Sequence, residues 1–203
     1  MMAGADAASP TRLLHRVWRR NLCRAPWFDA NAGVAYFPAG EFSDLESFDA
    51  GLPKQLSDYL AAAGEPVIFA DASTQFAVRL TIQAAFTGSI VIRVEEKSDG
   101  RIIARFKKFG HPRRNCRAPL IAQGTVHLTS DAVRKLRLTV EQQAFWSVDD
   151  RQDTIGSDGS DWVLEVKDGG RYHVAHRWWP FSGLIFEIGS VLMTLTHVHF
   201  VDR

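Results

Sequence analysis

Between Gln75 and Lys108 the chain alternates apolar and polar residues three times over, and no other feature constrains its fold as much. In QFAVRLTI, Phe76, Val78, Leu80 and Ile82 alternate with Ala77, Arg79 and Thr81. In IVIRVEE, Ile90, Ile92 and Val94 share a side, and in RIIARFKK so do Ile102, Ala104 and Phe106. A period of two marks a half-buried strand, because successive side chains of an extended chain point to opposite faces. Ser98-Asp99-Gly100 is a turn signal between the second and third segments. Together they predict an antiparallel meander.

A second strand pair is predicted in DGSDWVLEVKDGGRYHVAHRWWP, Asp158 to Pro180. Taking Asp168-Gly169-Gly170 as a three-residue hairpin loop sets Lys167 opposite Arg171. Val166 then meets Tyr172, Leu164 meets Val174 and Trp162 meets His176. The other face carries Glu165 opposite His173, Val163 opposite Ala175 and Asp161 opposite Arg177. This register sorts an apolar face from a polar one, which is how a sheet with one buried side fixes its pairing.

Helices are predicted around these strands. Leu52 to Ala63 is closed by Gly64 and followed by Pro66. Thr129 can cap a helix from Ser130 to about Gln143, with Asp131 in the first turn and Val133, Leu136 and Val140 as its buried stripe. A last helix spans about Ser182 to Thr196. PVIFA (66–70) and TVHL (125–128) read as short strands. Residues 1–10 read as a flexible tail, and Leu14, Val17, Trp18 and Leu22 fit one helical face among arginines. The expected fold is α+β: an antiparallel sheet, meander plus hairpin, covered on one face by helices. Residues 11–75 form a helical or irregular N-terminal extension, and 76–203 the main domain.

Composition narrows the function classes. The 203 residues carry 24 Lys plus Arg against 23 Asp plus Glu, a formal charge of +1, without the basic excess of a nucleic-acid binder. Two cysteines, Cys23 and Cys116, do not make a disulfide framework. The N-terminus interrupts its apolar residues with arginines, unlike a secretory signal, and no run reaches the roughly 18 apolar residues of a membrane span. The expectation is a cytoplasmic protein.

Chemistry-bearing residues are few. Glu165 and His173 pair across the predicted hairpin, beside Arg177, and could bind a small ligand or exchange a proton. His111 sits in the basic loop GHPRRNCRAP near Cys116. His197 and His199 would share a strand face, yet zinc normally takes at least three protein ligands. His173 and His176 would point to opposite faces. SDGSD (157–161) lacks the full calcium-loop pattern and reads as a turn. There is no P-loop, G-x-G-x-x-G, G-x-S-x-G or H-E-x-x-H motif, and no cofactor is implied.

VIRVEEKSDGRIIARF, LTSDAVRKLRLTVEQQAFWSV and IGSDGSDWVLEVKDGGRYHVAHRWWP, taken in order, resemble a family of uncharacterised bacterial proteins. Its hairpin reads DG-x-x-W-x-L-E…G-R-Y-H-V-V-x-R-W-x-P. The resemblance spans about residues 76–196 and centres on Asp158, Gly159, Trp162, Glu165, Tyr172, His173, Arg177, Trp178 and Pro180. Ala175 and Trp179 depart from the pattern. The resemblance implies a bacterial origin and a domain boundary near residue 76, and supplies no mechanism.

Three functional readings follow. The first is a non-enzymatic protein-interaction module, for instance an immunity-type protein that blocks a toxin, with the aromatics of residues 23–51 as a candidate interface. The second is a small-ligand binder or enzyme using Glu165, His173 and Arg177, with His111. The third is a metal-binding protein using His197 and His199.

Overall fold

A computed structural model describes residues 34–41, 51–111, 118–149 and 158–200. The alternating segments form β1 (Thr74–Ala84), β2 (Gly88–Lys97) and β3 (Ile102–Phe109), paired as the expected meander. Strand β4 (Leu120–His127) lies against β3 and begins well ahead of the TVHL segment. The hairpin is β5 (Ser160–Asp168) and β6 (Arg171–Trp178). Pairing of β5 with β1, Leu80 opposite Leu164 and Ile82 opposite Trp162, joins meander and hairpin into one antiparallel sheet, ordered β4-β3-β2-β1-β5-β6. This is the α+β fold that the sequence predicts.

Helix α1 is Leu52–Ala62, α2 is Ser130–Gln142 and α3 is Leu184–Thr196. Thr129 starts α2 as expected: its hydroxyl accepts from the Ala132 N–H at 3.3 Å, satisfying one of the donors that a helix start leaves orphaned. Both α2 and α3 lie on one face of the sheet. They cover Phe76, Val78, Leu80 and Ile82 of β1, Ile90, Ile92 and Val94 of β2, and Trp162, Leu164 and Val166 of β5. Gly189 lets α3 approach closely: a Cβ there would stand 2.8 Å from the Trp162 ring and 3.2 Å from Leu80.

The opposite face is covered too. Leu52, Leu56, Tyr59 and Leu60 of α1, with Tyr36 and Phe37, pack on Val91, Phe109, Val163 and Val174. Pro53 suits the first turn of α1, where an N–H has no partner anyway. Gly64 takes a left-handed φ of +64° just past the helix end, as the sequence anticipates. PVIFA forms turns rather than a strand. Its Ile68 is buried, so its apolar content reflects a packed loop. The expected tail, the helix at 11–22, the aromatics of 23–33 and 42–50, Cys23 and Cys116 lie outside the described residues.

Candidate functional site

The hairpin closes one residue tighter than its sequence suggests. Asp168 pairs with Arg171, leaving a two-residue loop of Gly169 and Gly170, with Gly169 at φ +57°. Every cross-strand pair therefore differs from the expectation. Val166 faces His173, Leu164 faces Ala175 and Trp162 faces Arg177 on the α2–α3 side. Lys167 faces Tyr172, Glu165 faces Val174 and Val163 faces His176 on the α1 side. The cause is physical. Polar-out sorting works only when one side meets water, and here Val163, Glu165 and Lys167 are buried along with Trp162, Leu164 and Val166. With apolar residues on both parities, the tight glycine turn sets the register.

The residues thought to form one polar patch are thus divided by the sheet. Glu165 is 0 % exposed on the α1 side. Its carboxylate takes a forked pair of bonds from Arg79, Nε–Oε2 at 2.5 Å and Nη2–Oε1 at 2.6 Å, and a third from the Tyr172 hydroxyl at 2.9 Å. Arg79, equally buried, also donates to the Pro66 carbonyl at 2.7 Å, and its guanidinium lies 5.6 Å from the Tyr36 ring centre. Burial opposes the charge on Arg79, but the Glu165 carboxylate outweighs it and raises the guanidinium pKa. Burial, and then the Glu165 charge, push the Tyr172 phenol far up, so it stays neutral and donates.

A chain of ion pairs continues along the same side. Arg93 meets Glu65 at 3.0 Å and Glu95 at 2.6 Å, Lys107 meets Glu65 at 2.7 Å, and Arg105 meets Glu95. Lys97 joins Asp71 at 2.7 Å, and Lys167 donates to the Asp71 carbonyl at 2.5 Å. Partial burial works against the Asp71 charge, yet the bonds from Lys97, Ser73 and Thr74 outweigh it and hold its carboxyl well below the usual range. Sequence reasoning missed this network. A readable signal was present: Arg79 and Arg93 stand in strands whose own parity also carries Ala77, Thr81 and Val91. A charge flanked on its own face by small and apolar residues points to a covered face.

On the other side His173 stacks edge-on against Phe145, with 5.2 Å between ring centres, and Nε2 reaches the Val148 carbonyl at 2.8 Å. Arg177 donates to the carbonyls of His176 and Asp149 at 2.6 and 3.0 Å. Both hold the chain that leaves α2. His111 is exposed beyond the end of β3, three strands from β5 in the sheet order and remote from both. His176 and Asp161 form a close pair, Nε2–Oδ1 at 2.7 Å, but no nucleophile bonds to that histidine among the described residues. His197 is not on a strand: it ends α3 in a left-handed turn at φ +54°, and His199 follows in irregular chain. No group of three metal-ligating side chains occurs among the described residues. A surface cavity of about 390 Å³ opens between residues 34–41 and the start of α1, lined by Phe37, Pro38, Glu41, Lys54 and Ser57 and by none of the predicted residues.

What the fold does expose is an aromatic corner. The β1–β2 turn, the start of β5 and the end of β6 lie at one end of the sheet, tied by bonds from Ala85 N–H to the Gly159 carbonyl and from Trp179 N–H to the Ser160 carbonyl. There Phe86 is 63 % and Phe181 73 % exposed, with Trp179 also exposed. The Trp179 and Phe181 rings are 5.4 Å apart. Trp179 holds φ at +42°, where a bulky residue is strained by roughly 1–3 kcal/mol. Gly159 makes room for it, since a Cβ there would meet the Trp179 ring at 2.7 Å and the Trp178 ring at 3.0 Å. No family model and no curated protein matches the chain. Among the described residues no helix is long and apolar enough to cross a membrane.

Proposed function

We propose that this chain is a non-enzymatic protein-interaction module that grips a partner protein with the corner of Phe86, Trp179 and Phe181. An immunity-type role in the bacterial cytoplasm, binding and blocking a toxin, is the specific form of the reading. One observation carries it: two large aromatic residues are held against each other in water, one on a strained backbone, with a third exposed at the same end of the sheet. Strain kept at a surface position is a frequent mark of function, and exposed aromatics are over-represented in binding anchors. The division of Glu165 from His173 and Arg177 by the sheet lends further support.

Tagged chain expressed in the native host provides the test, with wild type compared against Phe86→Asp plus Phe181→Asp. The expected result is one protein retained in stoichiometric amount by wild type and lost with the variant, both chains giving the same circular dichroism. For the immunity-type form, that retained protein arrests growth when expressed alone and not when co-expressed with wild type. Recovery of the chain alone at every concentration, or of identical proteins with both chains, overturns the reading.

A further inference from the structure

We infer that a second copy of this chain pairs with it along β4, antiparallel about a two-fold axis at Gly124, joining two six-stranded sheets into one. The two edges of the sheet differ. At one edge β6 carries Arg171, His173 and Arg177, and Arg171 is engaged by Glu141 at 2.8 Å and by the Trp146 face at 4.2 Å. Charges of this kind are how natural sheets discourage edge pairing. At the other edge β4 reads LIAQGTVH, without a single charged residue. It pairs with β3 alone, and its outward backbone groups find no partner among the described residues. Leu120 and Ile121 stand exposed at its start. Free main-chain groups on an uncharged, partly apolar edge are a template for another strand.

The sequence of β4 is complementary to itself, and this argues for a second copy as the occupant. In an antiparallel pair directly opposite residues share a face. A two-fold axis at Gly124 sets Ala122 opposite Val126 of the second copy, extending the apolar α2–α3 side. It sets Gln123 opposite Thr125 on the other side, an amide against a hydroxyl, and brings exposed Ile121 beside His127. No like charges meet. Of the β3 cations beside this stretch, Arg105 and Lys107 are already engaged by Glu95 and Glu65, and Lys108 lies next to Ala122, one strand in from the axis. This register uses the regular part of β4, beyond the irregularity that falls opposite Lys108 and Phe109. At its centre the Phe106 ring covers Gly124, where a Cβ would stand only 2.5 Å from it.

Sedimentation equilibrium of the full chain over a concentration series tests the pairing. The expected mass is twice 22.7 kDa at the upper concentrations. Gln123→Lys with Thr125→Lys places lysine opposite lysine on both sides of the axis and weakens association by at least about a hundredfold. Gln123→Lys with Thr125→Glu places lysine opposite glutamate and restores it, which also shows that substitution at these exposed positions leaves the fold intact. A single-chain mass at every concentration overturns the inference. So does a dimer indifferent to the paired lysines, or one that the lysine–glutamate variant fails to restore. The aromatic corner takes no part, so Phe86→Asp plus Phe181→Asp leaves the dimer unchanged, and the two readings fail separately.

Discussion

Removing the Glu165 carboxylate should unfold a large share of this molecule's stability. Glu165→Ala takes away both bonds of the fork and the acceptor of the Tyr172 hydroxyl. Arg79 is then fully buried with the Pro66 carbonyl and the Tyr36 ring as its remaining contacts. Breaking a buried ion pair by deleting one partner costs about 3–5 kcal/mol, because the survivor's charge stays desolvated and uncompensated. Domains have only about 5–15 kcal/mol in total. With a urea m-value of about 2 kcal/mol/M, a loss of about 4 kcal/mol moves the unfolding midpoint down by about 2 M. Equilibrium urea unfolding, followed by tryptophan fluorescence and circular dichroism together, measures it. Replacing the pair as a whole, Arg79→Met with Glu165→Leu and Tyr172→Phe, should recover most of the loss, since no buried charge is then stranded. A Glu165→Ala loss below about 1 kcal/mol, the size of an exposed pair, would refute the claim that this pair is sealed from water.

Gly189→Ala should destabilise by about 1–3 kcal/mol through overpacking against Trp162 and Leu80, although alanine is the better helix former; thermal unfolding and near-ultraviolet dichroism of Trp162 report it. Asp71 has its carboxyl pKa lowered in the folded chain, so its contribution is present above the unfolded value near 3.9 and lost as pH falls through and below it. Acid unfolding curves should therefore separate wild type from Asp71→Asn above about pH 4 and converge below it. The phenols of Tyr36, Tyr59 and Tyr172, the only three tyrosines, are all pushed up, foremost by burial. Stability from them persists below the unfolded value near 10 and is lost above it, so an ultraviolet titration should show phenolate forming only as the chain unfolds; normal ionisation in the folded protein would contradict it.

Local signals were legible and non-local ones were not. The meander could be read because β1, β2 and β3 repeat their apolar residues with a strand's period, and the turn at 98–100 marks the joint of β2 and β3. The limits of α1 and α2 follow from Gly64 and Thr129, which act within a turn of where they stand. The hairpin register escaped because it depends on what covers each face, and α1, which covers the second one, lies far upstream in the chain. The same ignorance placed Glu165 in water beside His173, when it lies across the sheet from it, paired to Arg79 eighty-six residues away. Exposure of Phe86, Trp179 and Phe181 was equally hidden, since Phe86 lies far from the other two in the chain and only the joined sheet brings them to one end.

Why the chain keeps a buried ion pair where leucines would pack well follows from the junction that the pair occupies. The β1–β5 pairing is where the meander meets the hairpin, and it is formed by residues distant in sequence with no turn to set their register. A slip of one residue is forbidden, because it would send Trp162 and Leu164 to the wrong side. A slip of two keeps every side chain on its proper face, and Phe76, Val78, Leu80 and Ile82 would meet Trp162, Leu164 and Val166 almost as well in the shifted alignment. Hydrophobic packing alone therefore discriminates poorly between the two. Arg79 discriminates strongly: two residues one way it faces Lys167, two the other way Val163, and in both cases two buried charges lose each other. The penalty is that of a broken buried pair, about 3–5 kcal/mol, enough to reduce the slipped form to well under one per cent. On this argument Arg79 and Glu165 contribute uniqueness more than depth of stability. Of the residues that first looked like a site in the sequence, Glu165 is then the one that, with Arg79, holds the sheet in one alignment, so that its β4 edge and its aromatic corner stand in fixed places.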